Sequence, residues 1–403
     1  MNKSREEQPN RKKKLLLITD LYPHRYNPVC GVFVKEHANE LSKYYQIKVI
    51  ATSFPYPLKT EHKQEKDIEI THIFFPSIKS IFVTSFITYP LFALPKVKNI
   101  IKSWNPDIIQ VHDYHHIPEL FWLKTWLDHT NFHIYLYLHN IRSHPDRLKG
   151  NRLIPFYRKT LSKAFRNWDH IFTVNPRLKN WILPYIPENK ITVTGNGISP
   201  TPPIQPEELL FIRNLCIPDA YKIISVGNLL EAKGFGYLIL AVYKLLQKGL
   251  NIQLVIVGEG KDHQRLTELI QNLNLSDRVL LTGAIENSIL RNIYPLFDLF
   301  VLASYSETFG IVFLEAMYAS LPVIGIKGEG IYGLFEEDKE ALYAEPRNSE
   351  DLANKIEWLI THPEKAAAIA KAGQQKVREQ FMLSDLIKKV REVYEQSKVI
   401  NDY

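Results

Sequence analysis

The chain has 403 residues, 45% hydrophobic and 23% charged, proportions of a packed globular protein that exclude a disordered, collagenous or coiled-coil chain. Its length predicts two domains, each large enough to bury its own core. The net charge of +7 conceals an asymmetry, +13 over residues 1–200 and −6 over the rest, so the first half favours anionic company: lipid headgroups, an anionic substrate or nucleic acid.

Two cysteines, Cys30 and Cys216, are too few for a disulfide scaffold, lack zinc-site spacing and fit a reducing compartment. The opening MNKSREEQPNRKKK is polar and leads into the short segment LLLIT instead of a signal-peptide core. The longest uncharged apolar stretch, residues 81–94, falls short of the roughly 20 residues of a membrane-spanning helix. A cytoplasmic protein without an integral membrane segment is expected.

Short runs rich in Ile, Val, Leu and Tyr alternate with segments of helical period, the pattern of strand-helix units building a parallel sheet. In the first half the predicted strands are KLLLITD from Lys14, IKVIAT from Ile47, DIIQVHD from Asp107, FHIYLYLHN from Phe132 and DHIFTVN from Asp169. In the second half they are KIISVGN from Lys222, IQLVIVGEG from Ile252, VLLTGAI from Val279, LFVLAS from Leu299 and PVIGIK from Pro322. ISPTPPIQPEE from Ile198 carries four prolines and reads as a linker, because proline cannot continue a helix or a central strand. From about Ser349 the composition is helical, with an acidic first turn in SEDLANKIEWLI.

Ligands of open parallel sheets bind at the carboxyl ends of the strands. The first strand leads to Asp20 and then to CGVFVKEHANEL, where Gly31 permits close backbone approach and the next helix offers its amides to an anion; a bare turn fits equally. YLYLHN ends in His139 and Asn140, which could meet a ligand or be structural. His112, Asp113, His115 and His116 form a cluster whose spacing matches no helical metal motif, so a polar rim is the stronger reading.

In SVGNLLEAKGFGYLIL from Ser225, the turn Gly227–Asn228 precedes Lys233 and Gly234 at a helix start, an arrangement that gathers amides and a cation around a phosphate unless the lysine is merely solvated. VIVGEG from Val255 ends in Gly258 and Gly260. In LASYSETFGIVFLEAMYASLPVI, Glu307 lies in a strand-end loop and Glu315 eight residues on, expected about two turns inside a helix beginning near Phe309, so that the two carboxylates grip different parts of one extended ligand.

With these segments in place, the chain resembles the retaining glycosyltransferases of family 4, whose GT-B architecture has two Rossmann-like parallel-sheet α/β domains facing a central cleft. Glu307 and Glu315 match the family's E(x7)E motif, and the likeness extends over GVFVKEH, the His139 strand end, TVTGNGI, VGNLLEAKG, VIVGEG and ALYAEPRNSEDL, essentially the whole chain. The resemblance implies an acceptor-side domain over residues 1–200, completed by a C-terminal helix at about 383–403, and a nucleotide-sugar domain over 201–382. It implies that Glu315 binds the ribose, that Glu307 with the amides of Phe309, Gly310 and Ile311 holds the donor sugar, and that Lys233 faces the diphosphate. Gly31 would approach the phosphates, His139 would contact the transferred sugar, and Gly227, Asn228, Gly258 and Glu259 would line the donor pocket.

Two positions depart from the family pattern: Asn228 stands where arginine is usual, and Ser199 follows Asn196-Gly197-Ile198 in place of an acid. The expectation is therefore a metal-independent retaining hexosyltransferase without cofactor, using a nucleotide-sugar donor in cell-envelope polysaccharide synthesis. Its acceptor would be a polysaccharide, glycolipid or lipid-linked glycan. The alternative is a catalytically weak nucleotide-sugar-binding protein in which Asn228 has removed one cation from the leaving group. RLIPFYRKTLSKAFRNW from Arg152 mixes cations with aromatics, which suggests peripheral contact with an anionic membrane at the inner face of the cell, although a helix buried in the core reads the same way. A nucleic-acid partner is not expected, because no recognition motif accompanies the basic charge.

Overall fold

The computed structural model describes residues 12–27, 30–76, 87–112, 123, 125–127, 132–139, 165, 168–204, 207, 210, 214 and 216–399. The chain forms two compact units, residues 1–194 with 387–403, and residues 195–386.

Unit 1 contains β1 (Lys14–Thr19), α1 (Val32–Ser42), β2 (Gln46–Ser53), β3 (Lys59–Glu65), β4 (Ile68–Phe74), α2 (Leu94–Trp104), β5 (Ile108–His112), β6 (His133–Leu138), β7 (His170–Thr173), α3 (Pro176–Ile182) and β8 (Ile191–Val193). The sheet runs β3-β4-β2-β1-β5-β6-β7-β8, parallel throughout except for the antiparallel β3–β4 pair. Leu15, Leu16, Leu17 and Ile18 of β1 are wholly buried, as expected of a central parallel strand covered on both faces. The charged β3, KTEHKQE, was not among the predicted strands; it lies at the sheet edge, where lysines and glutamates discourage pairing with another chain.

Unit 2 contains β9 (Tyr221–Val226), α4 (Phe235–Gln247), β10 (Ile252–Val257), α5 (His263–Asn272), β11 (Val279–Leu281), α6 (Asn287–Ile293), β12 (Leu299–Val301), α7 (Ile311–Tyr318), β13 (Val323–Ile326), β14 (Leu342–Ala344), α8 (Ser349–Thr361) and α9 (Pro363–Gln380). Its all-parallel sheet has the order β11-β10-β9-β12-β13-β14. The start of α8 is capped by Asn348, whose side chain accepts from the Glu350 and Asp351 amides, so Ser349 is already inside the helix. The last helix, α10 (Leu383–Val399), passes from unit 2 into unit 1 at Ile387. Within unit 1 its Tyr394 is buried beside Tyr135, at 4.4 Å between ring centroids.

The change of unit falls at Thr194, before the prolines read as a linker. Ile198 is buried, its amide donates to the Phe381 carbonyl, and the Leu383 amide donates back to its own. These backbone bonds tie Ile198 into unit 2; residues 205, 206 and 208 of the predicted linker lie outside the described residues.

Candidate functional site

In unit 2 the chain turns one way from β9 to β10 and the other way to β12, so the carboxyl ends of β9 and β12 flank the topological switch point of the sheet. That is where an open α/β sheet leaves a crevice. Lys233 leaves β9 on a single 3-10 turn, Glu231–Lys233, and Glu307 lies in the loop after β12. The lysine Nζ stands 2.6 Å from Glu307 Oε2, with side-chain exposures of 22% and 14%. Both strand exits are tied together, since the Tyr305 amide and the Ser304 hydroxyl each donate to the Ala232 carbonyl.

Gly234 caps the start of α4 with φ 70°. A Cβ there would stand 2.0 Å from the Ala303 carbonyl oxygen, so only glycine lets the helix mouth approach β12. Glu307 is held from three sides: its amide donates to Glu329 Oε2, its carbonyl accepts from Gly330, and Oε1 accepts from the Thr308 amide.

Helix α7 starts at Ile311, after the left-handed cap Gly310. Glu315 is therefore just over one turn inside it, a correction to the expected two turns, because the cap ends the loop beyond Phe309. The Phe309 side chain is buried, whereas its amide, with those of Gly310 and Ile311, belongs to the helix mouth. Glu315 is buried too, and its oxygens accept from Asn287 Nδ2 at 3.1 Å and the Tyr294 hydroxyl at 3.2 Å. Burial raises its pKa, opposed by the Asn287 bond, the nearby Arg291 and the Tyr294 bond.

The Gly227–Asn228 turn lies against the loop after β10: Leu229 donates to the Glu259 carbonyl and Gly258 to that of Gly283. Asn228 and Glu259 are exposed. Lys233, Glu307, Glu315, Gly227, Asn228, Gly258, Glu259 and the 309–311 amides thus all lie at or beyond the carboxyl ends of β9, β10 and β12. Sequence reasoning missed Asn287, Arg291, Tyr294 and Glu329, which hold the two glutamates; they sit in ordinary helix or loop sequence and carry no motif.

Unit 1 has its own switch point between β1 and β5. Gly31 caps α1 with φ 59°, and a Cβ on it would lie 2.3 Å from the Leu21 carbonyl carbon. Across the sheet end, the His139 ring packs 4.7 Å from both Phe33 and Tyr137. His112 is fully buried at the end of β5 and bonds to His139, so it belongs to the interior of this end of the sheet. Behind them the Tyr394 hydroxyl donates to Gln110 Oε1, and Gln110 Nε2 meets His37 Nε2 at 3.2 Å. Burial lowers the His37 pKa to about 3 and that of His112 well below its ordinary value.

Asp113, His115, His116, Asn140 and the 152–168 segment other than Phe165 and Trp168 lie outside the described residues. Among the described residues no group of three or more His, Cys, Asp or Glu could hold a metal ion, and no helix is long and apolar enough to cross a membrane.

Residues 30–201 match the family described as Glycosyltransferase Family 4, and residues 210–376 match Glycosyl transferases group 1. An uncharacterized glycosyltransferase of Methanocaldococcus jannaschii is 29% identical over 231 residues, 56% of this chain and 59% of that protein. The alignments with the first curated relatives span between 37% and 59% of their lengths. In fold, the sucrose-phosphate synthase of Thermosynechococcus elongatus superposes with a TM-score of 0.78 at 18% identity, covering 96% of this chain and all of the other. Anabaena HepE, solved in complex with UDP-glucose, gives 0.71 at 18% identity, with 95% and 100% covered. The architecture is that of the GT-B glycosyltransferases.

Proposed function

We propose that the chain, whose residues 30–201 match Glycosyltransferase Family 4 and residues 210–376 Glycosyl transferases group 1, transfers a hexosyl residue, with retention of configuration, from a nucleotide sugar to a glycan or lipid-linked acceptor of the cell envelope. The observation that carries this reading is the Lys233–Glu307 pair at the switch point of unit 2, between the mouths of α4 and α7. In the reaction the bond from the anomeric carbon to the diphosphate breaks, its electron pair leaves with the phosphate oxygen, and an acceptor hydroxyl oxygen bonds to that carbon as its proton passes to the departing phosphate oxygen. Negative charge therefore grows on the leaving group.

Lys233 and the first amides of α4 and α7 offset that charge from fixed positions, the most effective form of electrostatic stabilisation. Glu307 accepts from hydroxyls of the sugar, and Glu315 from those of the ribose. Gly31, Gly227, Asn228, Gly258 and Glu259 line the donor, and His139 meets the transferred sugar. The reading needs neither metal nor cofactor, since the cation and the helix ends supply the compensation. HepE, which shares the fold, is solved with UDP-glucose, in keeping with a nucleotide-sugar donor.

Asn228 favours a second reading, a weak or inactive donor-binding protein, because its exposed amide side chain leaves Lys233 without a second cation at the turn. The acceptor side rests on the +13 charge of residues 1–200 and on Ile87 and Leu91, exposed one helical turn apart ahead of Lys96, Lys98 and Lys102. Together they suit peripheral contact with an anionic membrane at the cytoplasmic face.

A panel of nucleotide sugars tests the donor. The matching compound at 100 times its Kd should stabilise the protein by about 2.7 kcal/mol, and its turnover should fall about 100- to 1,000-fold in Lys233→Ala. If no member of the panel binds, or if Lys233→Ala turns over the bound donor at the wild-type rate, the proposal fails. Binding without turnover in the wild-type protein would select the second reading.

A further inference from the structure

His112 Nδ1 lies 2.9 Å from His139 Nε2, so one ring donates along that line and the other accepts. If His139 donated, a neutral His112 would carry its proton on Nε2, which is buried and has no hydrogen-bond partner among the described residues. A buried N–H without an acceptor is a rare defect in folded proteins. Charging His112, so that both its nitrogens carry protons, is opposed by burial and by the neighbouring His37 and His139. The arrangement that strands only a lone pair has His112 donating from Nδ1. His139 Nε2 then accepts, and the proton of that ring resides on Nδ1, since the bond made by one imidazole nitrogen sets the state of the other.

The ring planes are fixed as well: His139 stacks on Tyr137 at 12°, lies edge to edge with His112 with their planes 18° apart, and Phe33 packs against it. We propose that His112 is a positioning residue, which locks His139 as the Nδ1–H tautomer in one orientation before any ligand arrives. The inference rests on the proposed contact between His139 and the transferred sugar only for its kinetic consequence; the tautomer belongs to the free protein. A ligand at that point would then meet no donor from Nε2.

Nitrogen-15 NMR of the full chain with labelled histidines reads this directly, with His139→Ala assigning the signals. The wild-type protein should show His139 protonated at Nδ1 and bare at Nε2. His112→Asn, whose side-chain amide can supply the same N–H, should keep that state, and His112→Leu should release a mixture of tautomers. With the donor found in the panel, His112→Leu should lower kcat about 10- to 100-fold, the cost of a misplaced group near the reaction. KM should stay within about twofold, and His112→Asn should recover most of the rate. A wild-type His139 protonated at Nε2, or a tautomer unchanged in His112→Leu, overturns the inference. A shifted tautomer with unchanged kcat would uphold it and instead remove His139 from the sugar site. If the leucine variant does not fold, the wild-type and asparagine spectra still decide.

Discussion

Glu315 shows how a buried carboxylate can weaken the fold that carries it. Its carboxylate is buried against Asn287, Tyr294 and Arg291, and burial raises its pKa. The folded state therefore binds a proton more readily than the unfolded state, so this group costs stability as pH rises from its unfolded pKa, about 4.3, through its folded value. Glu315→Gln should remove that slope and raise the neutral-pH melting temperature, as calorimetry between pH 4 and 8 would register. The same change should weaken nucleotide-sugar binding about 10- to 100-fold, because hydrogen bonds to a charged acceptor are the stronger kind. A variant that loses stability at pH 7 would contradict this account of Glu315.

At the scale of elements, both switch points depend on how closely a helix mouth approaches the neighbouring backbone. Gly234 joins a left-handed conformation to a contact that leaves no room for a Cβ. Gly234→Ala should cost about 3 kcal/mol, from the unfavourable φ and the displacement of Ala303 together. Gly328 has φ 78° with nothing within 4 Å of an added Cβ, so Gly328→Ala should cost only about 1 kcal/mol. Urea unfolding of the two variants separates the steric term from the conformational one. Equal losses would mean that the approach of α4 to β12 is not the reason for the glycine.

On the scale of the molecule, titration distinguishes the units. His37, His72, His112 and His170 all lie in unit 1, and burial lowers the pKa of each, to about 4 for His72 and His170. They stay neutral in the fold but charge in the unfolded chain, so their contribution is full above about pH 6.5 and is lost as pH falls toward their folded values. For fully buried His37 alone the loss by pH 5 is about 2 kcal/mol. Unit 1 should therefore melt earlier at pH 5 than at pH 7.5 and take up protons as it unfolds, which calorimetry in buffers of different ionisation heat would detect. The charge asymmetry makes a second prediction. The protein should co-sediment with anionic vesicles at low salt, release above about 0.5 M salt and ignore neutral vesicles; equal recovery with both kinds would exclude the membrane reading.

The ten predicted strands coincide with β1, β2, β5, β6, β7 and β9 to β13, since a strand covered on both faces must be apolar along its length. Gly234 and Gly310 at the helix starts follow from the left-handed backbone there, which favours glycine, whereas the E(x7)E pair was legible through its resemblance to the family motif. Missed were β3, which is charged and lies at an edge, β4, and the short β8 and β14. Also hidden were the partners of the site: Glu329 beneath Glu307, Asn287 and Tyr294 around Glu315, and His112 behind His139. Sequence alone thus determined the two-sheet plan and the residues at its strand ends. Tertiary structure decided what each functional side chain touches, because hydrogen bonds and burial join residues tens to hundreds of positions apart, which no local pattern records.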